Sequence, residues 1–295
     1  MLSSLLLSTL AVSAAQVSAQ LNKPVANPSF YWPTMSNVLH PNLTPQSFSY
    51  SQWKWGLIPR SCKAAAEKDN LSPYDIEVLD VWLGDCDTKW IMCRHNKADV
   101  SQVNFVERFG RLPVGMRDHV RHVVGCIAGY ASGQTGDVVL KGDVGNPSTA
   151  SIWFHEVGHA LDHQNGQYSN QAENFAENMI VAAYDTLVPG GVQGMPNPQP
   201  AWWQVYNQYT QVKNGMGDKI RKIPGKRCSR KAGLSDTIVC MGPAASDSGN
   251  CAGVSQFKIA QEGQGNNGTA TPPPPEFGEV EYFDLKTGRL TSHKH

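Results

Sequence analysis

Apolar and polar positions along the chain fall into a few strongly patterned stretches, separated by stretches rich in Pro, Gly and Asn. Between Asp75 and Leu83, Ile76, Val78 and Val81 with Trp82 predict a core strand. Ser101, followed by Val103, Phe105, Val106 and Phe109, predicts a capped helix that ends near Gly110 and Pro113. Val114, Met116, Val120 and Val123 predict a second, short helix. Residues 137–140 form an apolar run bounded by Gly136 and Gly142, which predicts a short strand. Asn146-Pro147 then reads as a helix start, cap and first turn, for a helix reaching about Asn165 with Gly166 at its left-handed end. Another helix begins near Ser169 or Asn170. Its stripe is Ala172, Phe175, Ala176, Met179, Ile180, Ala183 and Tyr184, three and four residues apart. Pro189-Gly190-Gly191 closes it, and a further helix is expected around Trp202, Trp203, Val205 and Tyr209.

The remaining stretches lack such periods. Gln20 to about Arg60 is rich in Pro, Asn, Ser and aromatic residues and reads as an extended arm over the domain. From Gly215 the chain becomes Cys-, Gly- and Ser-rich, a composition that disulfides would have to hold. Residues 261–275 carry Gly-Gln-Gly-Asn-Asn-Gly and four consecutive prolines, the signature of a flexible or polyproline linker, and the last twenty residues are expected to be disordered. The expected organisation is a signal peptide at 1–19, an arm at 20–60, one disulfide-stapled α+β domain at 61–260 and a flexible tail at 261–295.

Composition narrows the function classes. The 295 residues are 40% hydrophobic and 17% charged, ordinary for a globular chain, and 25 basic residues balance 25 acidic ones. No overall field favours nucleic acid or an anionic membrane, and a monomer is the expected state. Leu2 to Ala15 is apolar without an acidic residue, and Val17-Ser18-Ala19 offers a small-x-small cleavage pattern before Gln20, so a secreted, extracellular protein is expected. Seven cysteines fall into an early group (Cys62, Cys86, Cys93, Cys126) and a late one (Cys228, Cys240, Cys251), with no Cys-x-x-Cys pair to hold a metal. At most three disulfides form. Pairing within each group is the simplest arrangement, leaving a late thiol over, unless one bridge crosses between groups. Asn42, Asn70 and Asn267 begin glycosylation sequons.

The strongest chemical signal is His155-Glu156-Val157-Gly158-His159. On a helix, residues four apart lie one turn above each other, so both imidazoles can hold one zinc ion with Glu156 placed to take a proton from a bound water. A third ligand must come from elsewhere. Asp162 and His163 are near in sequence, but Asp162 lies about 10 Å along the axis from His155 at ~1.5 Å per residue, too far for one ion. Glu173, on the next helix, has no such difficulty, and Glu177 one turn on could bond to a ligating histidine. A capping box with Asn170 is the competing role for Glu173. His119 and His122 in RDHVRH are three apart, but read as part of a solvated basic face.

HEVGHALD at 155–162 and NQAENFAE at 170–177 resemble the two-helix active site of the zincin peptidases, of the anthrax lethal factor and Pro-Pro endopeptidase type. The resemblance implies a zincin-like domain with a small mixed sheet, Zn2+ on His155, His159 and Glu173, Glu156 as general base, and the strand at 137–140 as a substrate-binding edge. In that family a tyrosine upstream of the glutamate stabilises the oxyanion; here Tyr168 stands two residues away from that position, and the connection between the helices is shorter. NKPVANPSFYWPTMSNVLHPNLTPQ and VGMRDHVRH also resemble the conidiation-specific secreted proteins of filamentous fungi.

Two functions are therefore expected in competition. One is a secreted zinc endopeptidase with a protein or peptide substrate. The other is a non-enzymatic cell-wall protein that keeps the metal for structure. A carbohydrate-binding module rests on the aromatic residues alone.

Overall fold

The computed structural model describes residues 26–53, 55–126, 130–132, 136–164, 172–229, 236–241, 280–284 and 289–293. In chain order the elements are α1 (Trp32–Asn42), β1 (Phe48–Gln52), β2 (Leu57–Pro59), α2 (Arg60–Lys68), β3 (Ile76–Leu83), β4 (Trp90–His95), α3 (Gln102–Arg111), α4 (Val114–Arg117), β5 (His122–Cys126), β6 (Tyr130–Ser132), β7 (Asp137–Lys141), α5 (Ala150–Gln164), α6 (Ala172–Leu187), α7 (Tyr206–Met216), β8 (Ile238–Cys240), β9 (Val280–Asp284) and β10 (Arg289–His293). Eight strands form one mixed sheet in the order β10-β9-β1-β3-β4-β5-β7-β6, and β2 pairs with β8 in a small ribbon. Within the large sheet β5 runs parallel to β4 and to β7, and the other pairs are antiparallel. The architecture is mixed α/β.

Alternation along the central strands shows why their sequences are almost unbroken apolar runs. Leu79, Val81 and Leu83 of β3, Trp90 and Met92 of β4, Val123 of β5, and Val138 and Leu140 of β7 enter one core. Their neighbours Ile76, Val78, Ile91, Cys93, Val124, Cys126 and Val139 enter a second core on the other face. A sheet covered on both sides needs apolar residues at both parities. The first core is closed by α1, α3, α5 and α6, and the second by α2 and the β2–β8 ribbon.

Several expectations hold in detail. β3 spans Ile76–Leu83. Ser101 caps α3 by accepting a hydrogen bond from the Asn104 amide. Asn146 accepts from the Ser148 amide and opens a single 3-10 turn that leads into α5.

Others are corrected. The expected arm contains α1, β1 and β2, and β1 lies within the large sheet, paired with β3 and β9. Pro33 concealed α1, yet proline is harmless in a helix's first turn, where its missing N–H has no partner to lose. Met35 and Leu39, one turn apart, then bury the helix in the core. The short helix after Pro113 ends at Arg117, and Val123 belongs to β5. In the expected tail, 280–284 and 289–293 are paired strands that extend the sheet beyond β1. The β-formers Val280, Tyr282 and Phe283 could have signalled the first of them. Residues 137–140 do form a strand, but β7 is not the sheet edge, because β6 pairs antiparallel along it.

Cys62 bridges Cys93 within the early group, whereas Cys86 bridges Cys228 across the groups. Cys240 is also disulfide-bonded. Among the described residues the free thiol is Cys126, from the early group, buried within the second core. Among the described residues no helix is long and apolar enough to cross a membrane. The expected signal peptide at 1–19, Tyr168, Asn170, Cys251, Asn267 and residues 261–279 lie outside the described residues.

Candidate metal centre

The site is built on α5 and the first turn of α6. Trp153, Phe154, Val157, Ala160 and Leu161 bury one side of α5 in the core, which leaves His155, Glu156 and His159 half-buried on the other. The start of α5 is anchored twice. Trp153 donates its indole N–H to the Val144 carbonyl, and the Ser151 amide donates to the Ser36 hydroxyl on α1 at 3.0 Å. That second bond fixes α5 to a helix drawn from the first sixty residues.

Across from α5, α6 comes close because position 158 is glycine. A Cβ there would lie 3.3 Å from Met179 Cβ and 3.4 Å from Ala176 Cα. This approach brings the first turn of α6 over the two histidines. His155 Nε2 and His159 Nε2 are 3.2 Å apart. The Glu173 carboxylate straddles them, with Oε2 3.3 Å from His155 Nε2 and Oε1 3.5 Å from His159 Nε2. Ligands of a tetrahedral ion with arms of ~2.0–2.1 Å are separated by about 3.3–3.4 Å, so these three side chains have the spacing of one face of such a site. They are the one group among the described residues with such spacing. Glu173 is 81% exposed while His155 and His159 are 18% and 12% exposed, so the open side is that of the carboxylate.

Electrostatics agree with the geometry. Burial, with the His159 charge beside it, lowers the His155 pKa, and burial lowers that of His159. Both imidazoles are thus held neutral, the form that offers a lone pair to a cation. Burial and then the Glu173 carboxylate push Glu156 up to about 7. The same causes, in the same order, raise Glu177. Its Oε1 lies 3.7 Å from His155 Nδ1, on the side of the ring away from His159. That is ion-pair range and longer than a hydrogen bond.

The structure thus brings His155, His159, Glu156, Glu173 and Glu177 together. α5 is continuous through Gln164, so Asp162 stays on its own turn, buried, outside the triangle of donors. Among the described residues His119 and His122 belong to no group of three potential metal ligands. They are buried rather than on a solvated face, because Arg117 is tied to Asp85 and His122 Nδ1 lies 2.9 Å from Asp137 Oδ1. Sequence reasoning passed over two positions that shape the site, Gly158 and Ser36. The first had a signal, a glycine in mid-helix; the second had none.

Residues 35–278 match the conidiation-specific protein Con-13 family, and the chain belongs to it. A relative, conidiation-specific protein 13 of Neurospora crassa, is 30% identical over 274 residues, covering 78% of this chain and 76% of that protein. No solved structure matches the chain.

Proposed function

We propose that this protein is a secreted zinc-dependent endopeptidase of zincin type, hydrolysing peptide bonds with a water activated at His155, His159 and Glu173. The observation that carries this reading is the triangle of donor atoms at 3.2, 3.3 and 3.5 Å, with Glu156 next to it in sequence on the same face. Zinc bound there would lower the pKa of its water to about 7 and polarise a carbonyl. A purely structural site has no use for a carboxylate placed as Glu156 is.

The chain's own residues would divide the work as follows. Glu156 accepts a proton from the attacking water and passes it to the leaving amine, acting first as base and then as acid. Its tendency to hold a proton near neutrality suits both halves of that exchange. Glu177, 3.7 Å from His155 Nδ1, would hold the proton there once it closes to hydrogen-bond distance. The exposed side of Glu173 is where a peptide would enter, and the short edge strand β6 could take it by strand addition. Tyr168 is the candidate to stabilise the oxyanion.

A second reading, a non-enzymatic wall protein of the conidiation programme with a structural metal, is favoured by the name of the Neurospora relative, which specifies no activity. The test is elemental analysis of the secreted protein together with a broad peptide-library digest of wild type and Glu156→Gln. The peptidase reading expects close to one zinc per chain in both proteins and hydrolysis by wild type alone. Zinc bound by a wild type inert on every peptide would leave the wall-protein reading, and no zinc uptake at all would remove both.

A further inference from the structure

We infer that this protein carries a second ligand site, a cationic cleft that binds a phosphate or sulfate ester with an apolar body. A cleft of about 270 Å³ lies between the loop after α1, the α3–α4 turn and the strap at 221–227. Six of the chain's 25 basic residues line it, namely Arg111, Arg117, Arg221, Lys222, Lys226 and Arg227, against one carboxylate, Asp85. In a chain with no net charge, that is a strong local excess.

The pairing of these cations shows which are committed. Arg117 is fully buried and bound to Asp85, Arg111 is bound to Glu107 and the Leu43 carbonyl, and Arg227 is bound to Asp87. Lys222 and Lys226 are not so neutralised. Lys222 donates to the Thr44 hydroxyl, and Lys226 lies 3.4 Å from the Asp218 carbonyl. Among the described residues neither ammonium has a carboxylate partner. Arg221 has a loose one, 3.9 Å away and exposed.

The strap is held in place at both ends. Cys228 is bridged to Cys86, and its amide donates to the Asp85 carbonyl. Just before the strap, the backbone of Lys219 packs so tightly on Gly115 that a Cβ there would lie 2.6 Å from the Lys219 Cα. A cleft fastened in this way need not be ordered by its ligand, which favours binding. Leu43, Leu112, Pro113, Ile223 and Pro224 supply an apolar lining beside the ammonium groups. A charged head for Lys222 and Lys226 and an apolar body for this lining are together what such a cleft recognises.

The site is separate from the metal centre. Leu187, at the far end of α6, lines it, and a 14-residue separation along a helix puts Leu187 about 21 Å from Glu173.

The test is calorimetric titration of the full secreted protein, with N-glycans trimmed because the Asn42 sequon lies at the rim. The probes are phenyl phosphate, phenyl sulfate, inorganic phosphate and phenol. At least one ester should bind about tenfold or more tightly than either phosphate or phenol, and the better ester identifies the head group. Lys222→Ala/Lys226→Ala should weaken that ester by about tenfold or more with an unchanged melting temperature. Lys97→Ala/Lys141→Ala should leave binding as it was, and chelator-treated protein should bind the ester equally well. Esters that bind no better than phenol, or an equal loss in both double variants, would overturn the site.

Discussion

Gly158 of α5 packs against Met179 of α6 so closely that a Cβ at 158 would lie 3.3 Å from the Met179 Cβ, tighter than ordinary van der Waals contact. Helix propensity alone favours Gly158→Ala by up to ~1 kcal/mol. Overpacking a buried contact costs about 1–3 kcal/mol, so the contact should win. The variant is expected to melt lower than wild type without metal and to bind zinc more weakly, because Glu173 is displaced along with α6. A thermal melt and a zinc titration check both halves. A variant that gains stability and keeps its zinc affinity would show that the two helices are not in contact at this point.

The third ligand gives the sharpest contrast. Asp162→Ala removes a carboxylate outside the donor triangle, and losses from such supporting groups run to ~10–100-fold. Glu173→Ala removes a donor lying 3.3 and 3.5 Å from the two Nε2 atoms and should weaken zinc by more than that. Competition against a chromogenic chelator ranks the two. The reverse order would put the metal elsewhere on α5.

Acid sensitivity should run partly through His40. Arg108 donates to His40 Nε2 at 2.9 Å, so the imidazole is held as an acceptor. Burial, then Arg108 and Arg111, lower its pKa from 6.5 to about 4. Between those values the unfolded chain takes up a proton that the folded chain refuses. Stability from this group is therefore complete above pH 6.5, is lost as the pH falls towards 4, and changes no further below. His40→Gln, which can still accept from Arg108, should show a smaller fall in melting temperature between pH 7 and pH 4.5. An identical fall would assign the acid sensitivity to other groups.

Cys126 should be chemically silent in the native protein. Burial, with Asp69 nearby, pushes its thiol up to about 12, so at pH 8 only about one molecule in ten thousand carries the thiolate. Iodoacetamide followed by peptide mapping should label Cys126 in guanidinium and not before. Labelling in the native state would mean that the core beneath the sheet opens readily.

Of the candidate metal centre, the juxtaposition of His155, His159 and Glu173 was legible in the sequence, because the spacing of four on a helix and a glutamate on the next are local patterns. The elements whose signals are local were legible as well, as with Ser101 at the head of α3. The unread parts depend on distant partners. Nothing in WPTMSNVLHPN says that Ser36 will meet the start of α5, and nothing in RDHVRH says that Arg117 will find Asp85 and be buried. The bridge from Cys86 to Cys228 spans 142 residues, which no spacing rule could anticipate. The zincin resemblance implied an edge at 137–140, and only the pairing shows that β6 lies outside β7.

The position of β1 has a consequence for biosynthesis. Its strand at 48–52 is paired on one side with β3 and on the other with 280–284, so an early segment and a very late one are hydrogen-bonded neighbours. While the chain is being made, β1 and β3 can pair as soon as both have emerged, but the other edge of β1 lacks its native neighbour until residues 280–284 exist. A ribosome stalled anywhere in the proline-rich stretch would therefore present a chain whose helices α5 and α6 are complete and whose sheet is still open to a foreign strand.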